Sequence, residues 1–169
     1  ALGLPYELLP VMGVIVRIEG KQPGQNIVLR ADMDALAMDE SEMNLKQRKC
    51  CVSKVPGAAH MCGHDAHIAM LLGAMKILAG VREKIKGTVF CCFESGEENG
   101  TGYVEMLEAL QKYRIDACFA IHVVNGLDSG KISVEPGPRM AGGIGLEMTF
   151  HGKTGHGSRP DLAINPISP

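Results

Sequence analysis

The pattern of apolar and polar positions first becomes regular at Val14–Glu19, where the two alternate as in a half-buried strand. Lys21-Gln22-Pro23-Gly24 has the residues of a turn. Asn26–Arg30 follows as a second strand, and its continuous Ile27-Val28-Leu29 run suits a strand covered on both faces. Asp39–Val55 is polar, basic and without period, which predicts a long loop. From Ile68 to Leu78 the apolar positions Ile68, Leu71, Leu72, Met75 and Leu78 recur at helical spacing. Thr88–Phe93 is a β-rich apolar run, hence a buried strand. Gly102–Tyr113 is helical through Val104, Leu107 and Leu110, and Asp116–Val124 is a further apolar strand. Lys131–Glu135 and Ile144–Phe150 read as strands separated by Pro136-Gly137-Pro138 and Gly142-Gly143, and Asp161–Pro169 begins a helix. Strand, helix, strand, helix, strand predicts an α/β fold, a three-layer sheet with helices on both faces. The Pro/Gly punctuation divides it into a first domain over 1–141 and the start of a second over 142–169.

The polar residues that interrupt this pattern gather where elements end. His60-Met61-Cys62-Gly63-His64-Asp65-Ala66-His67 runs straight into the predicted helix and holds three of the six histidines. Thiolate, imidazole and carboxylate all ligate borderline divalent metals. Asp32 and Asp34 stand two apart at the end of the second strand, a spacing that puts both carboxylates on one face of an extended segment. Glu94-Ser95-Gly96-Glu97-Glu98-Asn99-Gly100 ends the next strand, and His122 lies near the end of the last. In open α/β sheets, ligands collect at the carboxyl ends of the strands, so one crevice would gather all of these groups. If the chain kinks between Glu97 and Glu98, one carboxylate can hold a metal while the other faces water activated by it. Each feature alone has a plainer reading: a histidine-rich surface turn, two solvent-facing acids, an acidic turn, a satisfied core histidine at position 122. A Cys62 nucleophile with a histidine base is a further reading, but it leaves the acidic pairs unexplained. There is no G-x-S-x-G elbow, P-loop or H-E-x-x-H motif.

Composition narrows the class. Of 169 residues, 46% are hydrophobic, enough for a core, and 21% are charged. The net charge of −2 gives no reason to expect a nucleic-acid or membrane-surface partner. No apolar run nears the about 20 residues that span a bilayer. The six cysteines include two adjacent pairs and no C-x-x-C spacing, a poor disulfide framework, so a reducing, cytoplasmic setting is expected. The first ten residues carry neither an initiator Met nor a signal-peptide pattern, and a piece of a longer chain is expected.

Taken together, Arg30-Ala31-Asp32-Met33-Asp34-Ala35-Leu36, Met61-Cys62-Gly63-His64-Asp65-Ala66-His67, Glu97-Glu98, Ile121-His122-Val123 and His151-Gly152-Lys153-x-Gly155-His156 resemble the zinc-peptidase-like amidohydrolases. This family includes hippurate hydrolase, the N-acyl-amino-acid amidohydrolases and the auxin-conjugate hydrolases, relatives of aminoacylase and the glutamate carboxypeptidases. The resemblance implies a two-metal hydrolase that cleaves the amide bond of small-molecule N-acyl amino acids. The ions would be zinc or manganese, with cobalt and nickel also compatible. It implies that Cys62, His64, Glu98 and His122 are metal ligands and that Glu97 is the general base, with Asp32 and Asp34 orienting the ligands. His156 matches a histidine of the smaller α+β lid, or dimerisation, domain that stabilises the oxyanion, commonly across a homodimer interface. Two local departures stand out: Ser95-Gly96 where the family usually has Pro-Ala, and an unusual loop at Gln47–Lys54. Family members are also longer, and a further histidine ligand comes from a returning segment. The expectation is therefore an enzyme represented by its amino-terminal part; the alternative is a non-catalytic, truncated metal-binding module.

Overall fold

The computed structural model describes residues 2–168 and divides into two compact units, one up to Asp128 and one from Ser129. In the first unit the elements are β1 (Tyr6–Leu8), β2 (Val14–Glu19), β3 (Gln22–Asp32), β4 (Met43–Asn44), β5 (Gln47–Arg48), α1 (His64–Gly80), β6 (Lys86–Glu94), α2 (Gly102–Leu110) and β7 (Ala117–Ala120). Five strands form a mixed sheet in the order β1-β2-β6-β3-β7. β2 runs antiparallel to β6, whereas β3 is parallel to both β6 and β7. The chain leaves β3 through α1 to reach β6 on one side. It then leaves β6 through α2 to reach β7 on the other, so the carboxyl ends of three parallel strands open on one edge around β3.

Two cores flank the sheet, which makes the three layers. Val16, Ile18, Ala31, Cys91 and Phe93 pack with Leu71 and Met75 of α1. Ile15, Val28, Phe90 and Cys92 pack with Leu9 and with Met106 of α2. The alternation explains the adjacent cysteines: successive strand residues face opposite sides, so Cys91 lies under α1 and Cys92 under α2. Each large buried side chain contributes about 1.5–3 kcal/mol of transfer free energy. His64, His67, Leu71 and Met75 are the buried residues of α1, spaced three or four apart along one stripe. The histidine motif and the core contacts therefore share a helix face.

Four expectations need correction. The stretch over Asp39–Val55 is not patternless: β4 and β5 form a small hairpin, Glu40 binds Lys49 Nζ at 2.8 Å and the Ser53 amide at 2.6 Å, and Leu36 bridges Ala59. The last strand of the sheet ends at Ala120, so His122 lies in the loop beyond it. Lys131–Glu135 and Ile144–Phe150 form no strands. Strands need partners for their backbone groups, and in the second unit the described residues pair only through the isolated bridge Lys153–Ile164. The predicted helix over Asp161–Pro169 is a single 3-10 turn at Pro160–Leu162, with Pro169 outside the described residues. Among the described residues, no helix is long and apolar enough to cross a membrane.

Candidate metal centre

Arg30 is the charge around which the acidic strand ends are assembled. It sits inside the apolar run of β3, bonded through Nε to Glu94 Oε2 at 2.7 Å and through Nη1 to Asp32 Oδ2 at 2.8 Å. Asp32 and Glu94 are register partners across β3 and β6, so two buried carboxylates would face each other without it. Burial raises the pKa of Asp32, but the His67 hydrogen bond and the Arg30 charge outweigh it and hold the carboxyl below its ordinary value.

Gly63 starts α1 with φ +84°, a left-handed conformation that glycine adopts without strain. The helix then presents His64 and His67 inward on its first turn. His64 Nδ1 lies 3.2 Å from Asp34 Oδ1, and Asp34 Oδ2 accepts the Glu98 amide at 2.9 Å. A carboxylate at Nδ1 fixes the proton there and leaves the Nε2 lone pair free. His64 is 1% exposed, and Nε2 has no hydrogen-bond partner. Around that nitrogen stand Glu98 Oε1 at 3.6 Å, Glu97 Oε2 at 3.8 Å and Asp32 Oδ1 at 3.9 Å. A buried imidazole nitrogen normally finds a partner. Here it points at a ring of carboxylate oxygens, each too far away for a hydrogen bond.

His122 is arranged in the same way. Its Nδ1 donates to the Val123 carbonyl at 2.7 Å, so Nε2 faces the Cys62 sulfur, 3.5 Å away. Both histidines thus offer an Nε2 lone pair with the other nitrogen held by an acceptor, the arrangement of metal-binding histidines. Among the described residues, three sets of donor atoms each lie within 4.8 Å of one another: Cys62–His64–His122, His64–Glu97–Glu98 and Asp32–His64–His67. His64 belongs to all three. Burial, and then the Glu98 carboxylate, push the Cys62 thiol up. A thiol in that setting becomes a thiolate only beside a cation. The residues present therefore fit divalent metal.

Of the residues expected to form the site, Cys62, His64, Glu97, Glu98 and His122 come together in the first unit. His156 lies exposed in the second unit, where Nδ1 is engaged by the Ser158 hydroxyl at 2.9 Å and the Ser158 amide at 3.3 Å. The sequence reading gave no role to His67 or Arg30. A charged residue following Ile27-Val28-Leu29 was a signal, because a buried charge requires a partner. So was the three-residue spacing of His67 from His64, which puts both on one helix face.

Comparison with known proteins fits this arrangement. The model of the peptidase family M20/M25/M40 matches residues 28–165. The chain is 40% identical over 166 residues to the IAA-amino acid hydrolase ILR1-like 4 of Arabidopsis thaliana, covering 98% of this chain and 37% of that protein. It is 38% identical over 156 residues to an N-acyl-L-amino acid amidohydrolase of Geobacillus stearothermophilus, covering 92% of this chain and 41% of that one. The crystal structure of a Bacillus subtilis protein described as a dinuclear metal binding peptidase superposes with a TM-score of 0.62 at 36% identity. That match covers 72% of this chain and 33% of the other. The chain thus spans less than half the length of the relatives it matches.

Proposed function

From the premise that the chain belongs to the peptidase family M20/M25/M40, we propose that it builds the metal-binding part of an amidohydrolase that cleaves the amide bond of N-acyl amino acids. The observation that carries this reading is His64 Nε2, buried without a hydrogen-bond partner and faced by Glu97, Glu98 and Asp32. Cys62, His64, Glu98 and His122 would hold two divalent ions, zinc or manganese, in the complete site. Ions so held supply Lewis-acid polarisation of the scissile carbonyl and acidify water towards a pKa of about 7.

The two adjacent glutamates divide the work by their anchoring. Asp34 fixes the Glu98 backbone amide, and the Glu98 side chain is 29% exposed, as suits a ligand. The Glu97 side chain is 39% exposed with Oε2 at the rim of the cluster, where its carboxylate takes the proton of the attacking water and returns it to the leaving nitrogen. His156, with Nδ1 turned to Ser158, keeps a proton on Nε2 in its neutral form and so has a donor for the developing oxyanion. Residues 142–169 would open the lid and dimerisation domain that carries it, in a cytoplasmic homodimer. A thiol hydrolase using Cys62 has less support, because burial and Glu98 disfavour its thiolate.

The test pairs metal analysis with hydrolysis of N-acyl amino acids. Glu97→Gln is expected to lower turnover by about 10²–10⁴-fold while metal content stays unchanged. Normal turnover in that variant overturns the base assignment. Failure of the unaltered protein to bind zinc or manganese overturns the amidohydrolase reading and leaves the fold without this chemistry.

A further inference from the structure

His67 is 1% exposed, and both of its ring nitrogens are committed. Nε2 accepts the backbone N–H of Val123 at 3.0 Å, so in the neutral ring the proton lies on Nδ1, 2.5 Å from Asp32 Oδ1. Asp32 is tied in turn to Arg30, and Arg30 to Glu94. A continuous chain of buried and half-buried polar contacts therefore runs from the end of β6 through the end of β3 and the first turn of α1 to the loop after β7. It ends on one peptide group, the one joining His122 to Val123. The far side of Val123 is used as well: its carbonyl accepts His122 Nδ1 at 2.7 Å, and its side chain seats against Gly63.

We propose that His67 is a positioning residue: it accepts the Val123 N–H, fixes the peptide that follows His122 and so aims His122 Nε2 at Cys62. The proposal rests on the reading of His122 as a metal ligand. Geometry argues against His67 being a ligand itself, although it lies in one of the three donor sets. Its one lone pair is occupied by an amide, and its other nitrogen carries the proton shared with Asp32. The loop that bears His122 lies beyond the last hydrogen-bonded residue of β7, so sheet pairing does not hold it. An acceptor on α1 supplies the missing restraint. It comes from the same helix turn as His64, which locks the two metal-facing imidazoles to one rigid element.

The test uses the 169-residue chain and cobalt(II), read by the thiolate charge-transfer absorbance of Cys62. Asn at this position reaches Asp32 but falls short of Val123, whereas Gln reaches the Val123 amide with a carbonyl oxygen. His67→Asn is expected to weaken cobalt binding about 10–100-fold, and His67→Gln to stay within about threefold of the parent. His122→Ala is expected to lose at least as much as His67→Asn. Parental affinity in His67→Asn beside a weakened His122→Ala overturns the positioning role and leaves the ligand reading standing; so does a His67→Gln as weak as His67→Asn. Parental affinity in His122→Ala overturns the ligand reading itself. Imidazole ¹⁵N spectra of the unaltered chain need no variant to fold. They are expected to show His67 protonated at Nδ1 and bare at Nε2 both before and after zinc is added. A proton on Nε2, or a His67 nitrogen that shifts as a zinc ligand, overturns the proposal.

Discussion

Asp34 holds Glu98 by its backbone: Oδ2 accepts the Glu98 amide at 2.9 Å, while Oδ1 faces His64 Nδ1 at 3.2 Å. One carboxylate just beyond β3 therefore sets both the tautomer of a histidine on α1 and the path of the loop after β6. Asp34→Ala is expected to weaken zinc binding about 10–100-fold, because the imidazole loses its orienting acceptor and the loop loses its anchor. Competition with a chelator of known affinity measures this directly. An unchanged zinc affinity would show that the His64 ring is held by packing alone.

Two glycines of the same region are expected to respond in opposite directions to alanine. A Cβ at Gly63 would lie 2.4 Å from Val123 Cγ2, on a backbone with φ +84°. Gly63→Ala should destabilise the fold by about 1–3 kcal/mol. Gly73, on the exposed side of α1, has nothing within 4 Å of an added Cβ. Gly73→Ala should stabilise by about 0.5–1 kcal/mol through helix propensity. Urea titrations of the two variants settle the sign of each.

Asp32 makes stability depend on acid. Its carboxyl is held below the ordinary value, so its contribution is complete above the unfolded pKa of about 3.9 and drains away as pH falls through the lower folded value. The Asn variant lacks that contribution at every pH. The gap in urea midpoint between the parent and Asp32→Asn should therefore be widest at neutral pH and narrow towards pH 3. A gap that does not narrow in acid would mean that ionisation of Asp32 is not what stabilises the fold.

The cysteines divide by environment. Cys91 and Cys92 are buried on opposite faces of β6, and burial pushes both thiols to about 12. Cys50 and Cys51 are exposed. Alkylation with iodoacetamide at pH 8, mapped by mass spectrometry, should label Cys50 and Cys51 in the folded protein and Cys91 and Cys92 only in denaturant. Labelling of Cys91 under native conditions would show that the sheet opens there.

Much of the frame could be read from residue order. Val14–Glu19 is a strand with the predicted bounds because its alternation is local and complete. The predicted Ile68–Leu78 stripe lies within α1, whose first turn takes in His64 and His67 because they continue the same spacing. The second unit was less legible. Ile144–Phe150 has strand-like residues, yet β propensity expresses a fit to neighbouring strands rather than a preference of the backbone, and no strand among the described residues accompanies it.

The sequence alone determined which chemistry is available: the thiol, imidazoles and carboxylates of Cys62, His64, Glu97, Glu98 and His122, and the strand ends that bring them near one edge. Side-chain type and local period are properties of neighbours along the chain, so they survive reading in one dimension. The tertiary structure decided which lone pairs face the centre. His64 Nε2 is free because Asp34 holds Nδ1, and His67 is not free because a Val123 amide 56 positions away takes its remaining lone pair. Two histidines one helical turn apart thus differ in whether a ring nitrogen is left without a partner. The reason is that hydrogen-bond partners distant in sequence, not the residues themselves, fix where each proton sits.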